Sequence, residues 1–128
     1  MKVLITGSRG WTDEAPIRAR LEQLPPCSFV MHGAAPGVDR IASVIAQQLG
    51  HAVRGFPADW RVKADTPPGA IRTDRRGRRY DARAGQLRNL RMLDENPDLV
   101  LAFWDGRSPG TKHCIDAAIE AGIPVEVA

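Results

Sequence analysis

The sequence predicts an α/β protein whose parallel, doubly wound sheet has five strands. Short apolar runs typical of buried strands alternate along the 128 residues with segments of helical spacing. Three of these runs are followed directly by a glycine-containing loop. The run Leu99–Phe103 is continuously apolar, as a strand covered by helices on both faces requires.

Three strands and two helices are predicted in the first half of the chain. The strands are Lys2–Thr6, Ser28–His32 and Ala52–Phe56. Thr12 or Asp13 caps the first helix, which ends before a Pro-Pro pair. Apolar residues at helical spacing mark the second helix from Val38 to Leu49, and Gly50 supplies the left-handed position that follows it.

The second half begins with a segment that has no hydrophobic pattern. Residues 57–85 contain a Thr-Pro-Pro-Gly cluster and then a run of arginines, so we expect an irregular basic insertion without regular elements. Helical spacing resumes at Leu87, Leu90 and Leu93. The last predicted elements are the strand Asp98–Trp104, the helix Thr111–Ala121 and the strand Ile123–Val127.

This succession of elements predicts one Rossmann-like domain over residues 1–128 with strand order 3-2-1-4-5. The first and fourth strands are then neighbours at the topological switch point of the sheet. Ligands of such sheets bind outside the carboxyl ends of the strands at that point. The loops that begin at Gly7 and Trp104 should therefore bound a ligand crevice.

The charge of the chain is unevenly distributed. Lys and Arg number 18 against 15 Asp and Glu, a net charge of +3, but residues 61–91 hold ten of the bases and only three Asp. Such a block either meets phosphates or is a solvated loop, and both interpretations stay open here. We expect residues 61–83 to form a mobile lid or a partner-binding insert with fast amide exchange.

Apolar runs are too short for a membrane-spanning helix or a secretory leader, so we expect a cytoplasmic protein with no membrane partner. Cys27 and Cys114 form no CxxC pair and are interpreted as reduced thiols. The three histidines, His32, His51 and His113, share no metal-ligand spacing with each other or with the cysteines. We therefore expect neither a metal nor a cofactor.

Glycine-containing loops at residues 7–10, 33–37 and 105–111 each follow a strand and precede a helix. The three loops should open on one edge of the sheet, where glycines and helix N-termini together favour phosphate groups. Short connections of this type also need glycine for their turns, and this structural explanation remains open for each loop.

Four motifs appear in order along the chain: Thr-Gly-Ser-Arg at 6–9, His-Gly-Ala-Ala-Pro-Gly-Val-Asp at 32–39, Arg-Asn-Leu-Arg-Met at 88–92 and Ser-Pro-Gly-Thr-Lys at 108–112. In this combination the sequence resembles the SLOG superfamily, and within it the small YspA-like or YpsA-like branch. The superfamily includes the Lonely Guy phosphoribohydrolases and the Rossmann-like domain of the DNA-processing protein A, which binds single-stranded DNA. The resemblance implies binding of a nucleotide or a nucleotide-derived ligand.

The second and last loops carry the most specific part of this resemblance. Gly33, Gly37 and Asp39 match a G-x-A-x-G-x-D loop of the superfamily. Asp39 then either binds a ribose hydroxyl or caps its helix through backbone N–H groups further on. Gly110 and Thr111 resemble the Gly-Thr pair that seats a phosphate at a helix start.

Candidate ligand contacts also follow the first strand. Gly7 lets the backbone approach a ligand, while Ser8 and Arg9 are placed to contact phosphate or sugar, although an exposed Arg after a turn is often only solvated. Trp11 is the preferred stacking surface for a base among the three tryptophans. It is equally well explained as a cover for the edge of the core.

The resemblance places Arg88 near the Gly110–Thr111 loop, where it binds a phosphate or a neighbouring oxygen, with Asn89 lining or supporting the pocket. Lonely Guy enzymes cleave an N-glycosidic bond with a Glu and an upstream Arg. Cys114 stands where that Glu is expected, and a thiol does not replace a carboxylate in this role. Whether the protein is an enzyme is therefore left open.

Three functions are compatible with these features. The preferred hypothesis is a small domain that binds or senses a nucleotide or nucleotide-derived ligand and releases it intact, and a homodimer is possible. The second is a nucleotide N-glycoside hydrolase in which Arg88 is catalytic. The third is binding of single-stranded nucleic acid through the arginine-rich insertion.

Overall fold

The computed structural model describes residues 1–128 and contains the predicted alternation of strands and helices. The strands are β1 (Lys2–Gly7), β2 (Phe29–His32), β3 (Ala52–Gly55), β4 (Ile71–Thr73), β5 (Arg79–Asp81), β6 (Leu99–Phe103) and β7 (Val125–Val127). The helices are α1 (Glu14–Glu22), α2 (Val38–Gln48), α3 (Ala84–Leu93) and α4 (Pro109–Glu120), and a single turn of 3-10 helix spans Pro68–Ala70.

Five parallel strands form the main sheet in the order β3-β2-β1-β6-β7. Since β4 and β5 pair only with each other, this is the predicted order 3-2-1-4-5, and the fold prediction is confirmed. Strand β1 lies between β2 and β6, with Val3 beside Leu99 and Gly7 beside Phe103. The switch point is therefore at the carboxyl ends of β1 and β6.

Apolar clusters cover both faces of the sheet. Val3 and Ile5 of β1 belong to a cluster of 13 buried residues to which α1 and α2 contribute. Leu4, between them, belongs to a second cluster of 8 buried residues with α3 and α4. Alternate residues of one strand thus serve opposite layers, which is the physical basis of a doubly wound sheet.

The predicted ends of the first two helices are confirmed. Asp13 caps α1 by accepting a hydrogen bond of 3.1 Å from the amide of Ala15. Gly50 follows α2 with a φ of +83°, the left-handed conformation expected after a helix.

The third helix is where the hydrophobic spacing predicts it, but only Leu93 of its three leucines is buried. Leu87 and Leu90 are each 45% exposed, whereas Asn89 is 4% exposed and Met92 is buried. The amide of Asn89 donates 3.2 Å to the carbonyl of Gly110 at the start of α4. This contact between helices turns a polar side chain inward and leaves two leucines outside.

The prediction of no regular element in residues 57–85 is wrong. Strands β4 and β5 form an antiparallel hairpin, with Ile71 opposite Asp81. The carboxylate of Asp74 accepts hydrogen bonds of 2.9 Å from the amides of Arg76 and Arg78 and so closes the turn between the strands. Such a hairpin is ordered by local hydrogen bonds between polar groups, and hydrophobic periodicity does not indicate these bonds.

The longest helix has 12 residues, and none of the helices has the length and apolar character needed to cross a bilayer.

We expect Gly7→Ala to destabilise the protein, because a Cβ at residue 7 would meet the side chain of Val38 and lie 2.7 Å from the carbonyl oxygen of Phe103. Overpacking of this kind costs about 1–3 kcal/mol in the free energy of unfolding. Urea denaturation followed by circular dichroism measures it. Gly110→Ala is the matched control, since nothing lies within 4 Å of the added methyl. Equal stability of the two variants would contradict the packing argument.

Candidate functional site

A crevice of about 480 Å³ opens at the carboxyl ends of β1 and β6, at the predicted switch point. Three βα loops surround it together with the start of α3 and Trp60. Eight of the residues singled out in the sequence line it: Gly7, Arg9, Gly33, Asp39, Arg88, Asn89, Gly110 and Thr111. The loops that were separate in the sequence therefore meet at one site, and we call it the crevice below.

Ser8 lies outside the crevice and holds two loops together. Its amide donates 3.1 Å to the carbonyl of Phe103, and its hydroxyl accepts 2.9 Å from the amide of Asp105. The residue is 2% exposed. The structure thus assigns Ser8 to the connection between the ends of β1 and β6 instead of to the ligand surface.

Gly37 also lies outside the crevice, where it lets the second loop approach the first. Its φ is +80°, and an added Cβ would collide with the carbonyl oxygens of Ser8 and Arg9. The next amide, that of Val38, donates 3.3 Å to Ser8. Glycine is needed at position 37 by this packing and by its conformation.

Asp39 is held by the loop that precedes it and does not cap its helix. The N-cap of α2 is Gly37, and Asp39 is the second helical residue. One carboxylate oxygen, Oδ2, accepts 3.0 Å from the amide of Gly33 and 3.3 Å from that of Ala35. The capping interpretation is therefore wrong, because the side chain turns back over the loop instead of toward the following helical turn.

The other oxygen of this carboxylate is without a partner. Asp39 is 5% exposed and lines the crevice, and its Oδ1 is buried with no hydrogen bond. Burial raises the pKa of Asp39 to about 6, although the amides of Ala35 and Gly33 and the guanidinium of Arg88 act in the opposite direction. A buried acceptor of this kind is complementary to a hydrogen-bond donor on a ligand.

Arg88 crosses from α3 to the second loop, and this differs from the contact with the Gly110–Thr111 loop that the resemblance predicts. Its Nη1 donates to the carbonyl of Gly33 and, at 3.5 Å, to that of Phe56, while its Nε donates 2.9 Å to Asn89. An added Cβ on Gly33 would collide with the guanidinium. Arg88 therefore forms one wall of the crevice from α3, and Asn89 makes the contact with Gly110.

Partial burial shifts the pKa values of Arg88 and His32. Burial lowers the pKa of Arg88, and Asp39 raises it. Burial also lowers the pKa of His32, with a further contribution from Arg88. The Nδ1 of His32 accepts 2.9 Å from the amide of Ala34, which assigns the proton of the neutral ring to Nε2.

The start of α4 forms the wall opposite the second loop. The helix begins at Pro109, so the amides of Gly110 and Thr111 lie in its first turn, where backbone N–H groups have no intrahelical acceptor. Ser108, the N-cap, makes no side-chain capping bond. This arrangement leaves donors and the positive end of the helix dipole available beside the crevice.

The aromatic residue at the crevice is Trp60, not Trp11. Trp60 lines the crevice and is 39% exposed, and the guanidinium of Arg9 lies 5.9 Å from its ring centroid. Trp11 packs edge-on against Phe103 at 6.0 Å and donates 2.7 Å to the carbonyl of Asp13. Trp11 therefore covers the core. Trp60 lies in the long connection after β3, and none of the sequence motifs includes it.

Cys114 belongs to the core beneath the crevice. It is fully buried in the cluster with Leu4 and Met92, and burial raises the pKa of its thiol to about 11. Asp116 lies on the exposed side of α4, where it pairs with Lys112 at 2.6 Å. Asp39 is the only carboxylate that lines the crevice.

Comparisons with known proteins identify the family and the fold. A model of the YspA, cpYpsA-related SLOG family matches residues 1–62, which include the first two loops. The Gene 61 protein of Mycobacterium phage D29 is 38% identical over 128 aligned residues, covering 97% of this chain and 93% of that protein.

Two solved structures share the fold. DNA processing protein A from Streptococcus pneumoniae superposes with a TM-score of 0.72 at 19% identity, over 98% of this chain and 49% of that one. The protein TM1055 superposes with a TM-score of 0.63 at 24% identity, over 97% of this chain and 71% of its own. The chain thus spans about half the length of DNA processing protein A.

The raised pKa of Asp39 leads to a pH-dependent stability. The group has its ordinary value of 3.8 when unfolded and about 6 when folded, so the folded state holds the proton more tightly. Asp39 therefore stabilises the fold below about pH 4, and this contribution is lost as the pH rises through about 6. Two pKa units correspond to roughly 3 kcal/mol in the free energy of unfolding.

Urea unfolding between about pH 4 and pH 7 tests this expectation. The wild type should lose stability over this range, and Asp39→Asn should not show this loss. Asp94→Asn, at an exposed position after α3, should keep the wild-type profile. An Asp39→Asn profile that runs parallel to that of the wild type would show that the buried carboxylate does not titrate in this range.

Proposed function

We propose, from the premise that the chain belongs to the YspA and cpYpsA-related SLOG family, that its crevice binds a nucleotide or a nucleotide-derived ligand and releases it intact. The unpartnered oxygen of Asp39 carries this proposal. A buried acceptor beside two arginines is costly in an empty site and is satisfied by a ligand that has a hydroxyl and an anionic group.

The sugar of such a ligand matches the second loop. A ribose hydroxyl donates a hydrogen bond to Oδ1 of Asp39, while Oδ2 stays with the amides of Gly33 and Ala35. The carboxylate is thereby fixed in orientation by the backbone. Its position does not depend on a flexible side-chain contact, which favours a specific geometry for the donor.

The phosphate matches the positive groups on the opposite side. The first turn of α4 supplies backbone donors at Gly110 and Thr111, and Arg9 adds a guanidinium from the first loop. A phosphate at a helix N-terminus is stabilised by these free N–H groups and by the helix dipole. Charge-assisted bonds from arginine add to this stabilisation.

The base matches Trp60. Its ring lines the crevice and is 39% exposed, so part of the indole is accessible to a ligand. Aromatic rings bind the flat face of a base by stacking.

Cleavage of the N-glycosidic bond has less support than binding. The family Glu is replaced by Cys114, which is buried in the core, and the one carboxylate of the crevice is committed on one side to two backbone amides. A hydrolase needs a positioned acid, base or charge stabiliser in addition to binding groups. This is why intact release is part of the proposal.

The Nη2 of Arg88 makes no hydrogen bond within the protein and is available to an anionic oxygen of the ligand, since only Nε and Nη1 are used. Arg88→Ala should therefore weaken binding of a nucleoside monophosphate by about 1.5–3 kcal/mol, the range for a hydrogen bond to a charged group. Isothermal titration with AMP, GMP, CMP and UMP measures it. Arg91→Ala is the matched control, because Arg91 is on the same helix but outside the crevice. Chromatography of the incubated nucleotides completes the test: free base formed by the wild type and absent with Arg88→Ala would replace the binding proposal by the hydrolase.

Trp60→Ala should lower the affinity for the same nucleotides by about 1–3 kcal/mol, the contribution of one stacked base, and leave the affinity for ribose 5-phosphate unchanged. Trp11→Phe keeps an aromatic ring on the core and should retain both affinities. The stacking role of Trp60 is refuted if its removal weakens ribose 5-phosphate and nucleotides equally.

A further inference from the structure

The hairpin of β4 and β5 carries a dense positive charge outside the crevice. Residues 71–81 contain five arginines against two aspartates. None of these residues lines the crevice. We call this segment the basic hairpin, and its chemistry is not explained by a site for a mononucleotide.

Most of these arginines have no acidic partner. Only Arg78 lies within 4 Å of a carboxylate, that of Asp74 at 3.4 Å. Arg75, Arg76 and Arg79 are exposed and make no side-chain hydrogen bond to the protein. Their guanidinium donors are therefore available to a partner.

The two aspartates of the hairpin are used to build it. Asp74 closes the turn through the amides of Arg76 and Arg78, and these hydrogen bonds lower its pKa. Asp81 is 3% exposed and holds Arg83 through two bonds of 3.0 and 3.1 Å. The carboxylates thus order the backbone and leave the positive charge at the tip uncompensated.

Two aromatic rings lie where the hairpin joins the body of the protein. Tyr80 of β5 contacts Trp60 edge-on with 6.2 Å between the ring centroids, and the amide of Asp81 donates 2.9 Å to the carbonyl of Trp60. Tyr80 is half-buried, and Trp60 is partly exposed. Arg72 lies directly opposite Tyr80 in the hairpin, so an exposed guanidinium and an aromatic ring belong to the same face. Positive charge and aromatic rings on one surface are the combination that contacts phosphates and unpaired bases together.

We propose that the basic hairpin binds single-stranded nucleic acid, with Arg75, Arg76 and Arg79 contacting phosphates and Tyr80 and Trp60 contacting bases. A single strand fits better than an acidic protein because the surface offers rings as well as charge, and better than a duplex because paired bases do not expose their faces. The phosphate contacts of this proposal do not rest on the mononucleotide site, since the three arginines lie outside the crevice, whereas Trp60 is shared by the two sites.

Fluorescence anisotropy with fluorescein-labelled dT20 tests the proposal. Three phosphate contacts predict a slope of about −2 in log affinity against log salt, which is about a 20-fold loss between 50 and 200 mM NaCl. The variant Arg75→Gln/Arg76→Gln/Arg79→Gln should lose about two units of this slope. Its affinity at 50 mM NaCl should fall about tenfold or more.

The matched control removes three arginines from α1, α2 and β3 as Arg18→Gln/Arg40→Gln/Arg54→Gln and should keep the wild-type slope. Thermal melting verifies that both variants fold, and AMP titration of the hairpin variant should match the wild type. If dT20 binds but AMP does not, the crevice proposal fails alone.

Three results would overturn the hairpin proposal. The first is an unchanged affinity and salt slope in the hairpin variant. The second is competition by polyglutamate as effective as that by unlabelled dT20, which would reduce the surface to unspecific charge. The third is tighter binding of a 20-base-pair duplex than of dT20 under the same salt.

Discussion

The close approach of the first βα loop to the start of α2 is the contact on which the crevice depends. The carbonyl of Ser8 accepts hydrogen bonds of 3.3 Å from the amides of both Trp11 and Val38. Glycines at positions 7 and 37 make this possible, because a Cβ at either would collide with the facing segment. These contacts join two of the three loops into one wall. The amide of Ser8 also bonds the end of β6 at Phe103, and its hydroxyl bonds the loop that follows at Asp105.

Two charged side chains, Asp39 and Arg88, are wholly or partly buried beside this contact, and their burial disfavours the charged form of each. Asp39 and Arg88 are both withdrawn from water and each alters the pKa of the other, yet they are not a salt bridge within 4 Å. Their hydrogen bonds go mainly to backbone groups of the second loop, at Gly33 and Ala35. Because the two groups are bonded mainly to the backbone, each keeps part of its hydrogen-bonding capacity for a ligand. In a direct salt bridge, each group would use that capacity on the other.

The basic hairpin shows a different use of carboxylates. Asp74 and Asp81 accept hydrogen bonds from backbone amides and from nearby arginines. These bonds order a short hairpin that has only three residues in each strand and no large core of its own. Two-stranded hairpins are marginal in isolation. The hydrogen bond from the amide of Asp81 to the carbonyl of Trp60 and the edge-on contact of Tyr80 with the Trp60 ring attach this hairpin to the connection after β3. The aspartates of the hairpin thus order its backbone, while the neighbouring arginines supply its positive charge.

The sequence alone determined the sheet order, the positions of the four helices and the meeting of three loops at the switch point. These features follow from local signals, namely apolar periodicity and glycine at the ends of strands. It also determined six residues that line the crevice from the three loops, because residues after parallel strands must share one edge of the sheet. Arg88 and Asn89, which lie on α3, were expected there from the family resemblance.

Only the tertiary structure decided how the side chains are used. The direction of Arg88, the reversed carboxylate of Asp39 and the choice of Trp60 over Trp11 all depend on contacts between segments that are far apart in sequence. The inward turn of Asn89 in place of Leu87 and Leu90 has the same origin, a hydrogen bond to another helix. Periodicity describes one element at a time, and it contains no information on which partner a long or polar side chain meets when elements pack together.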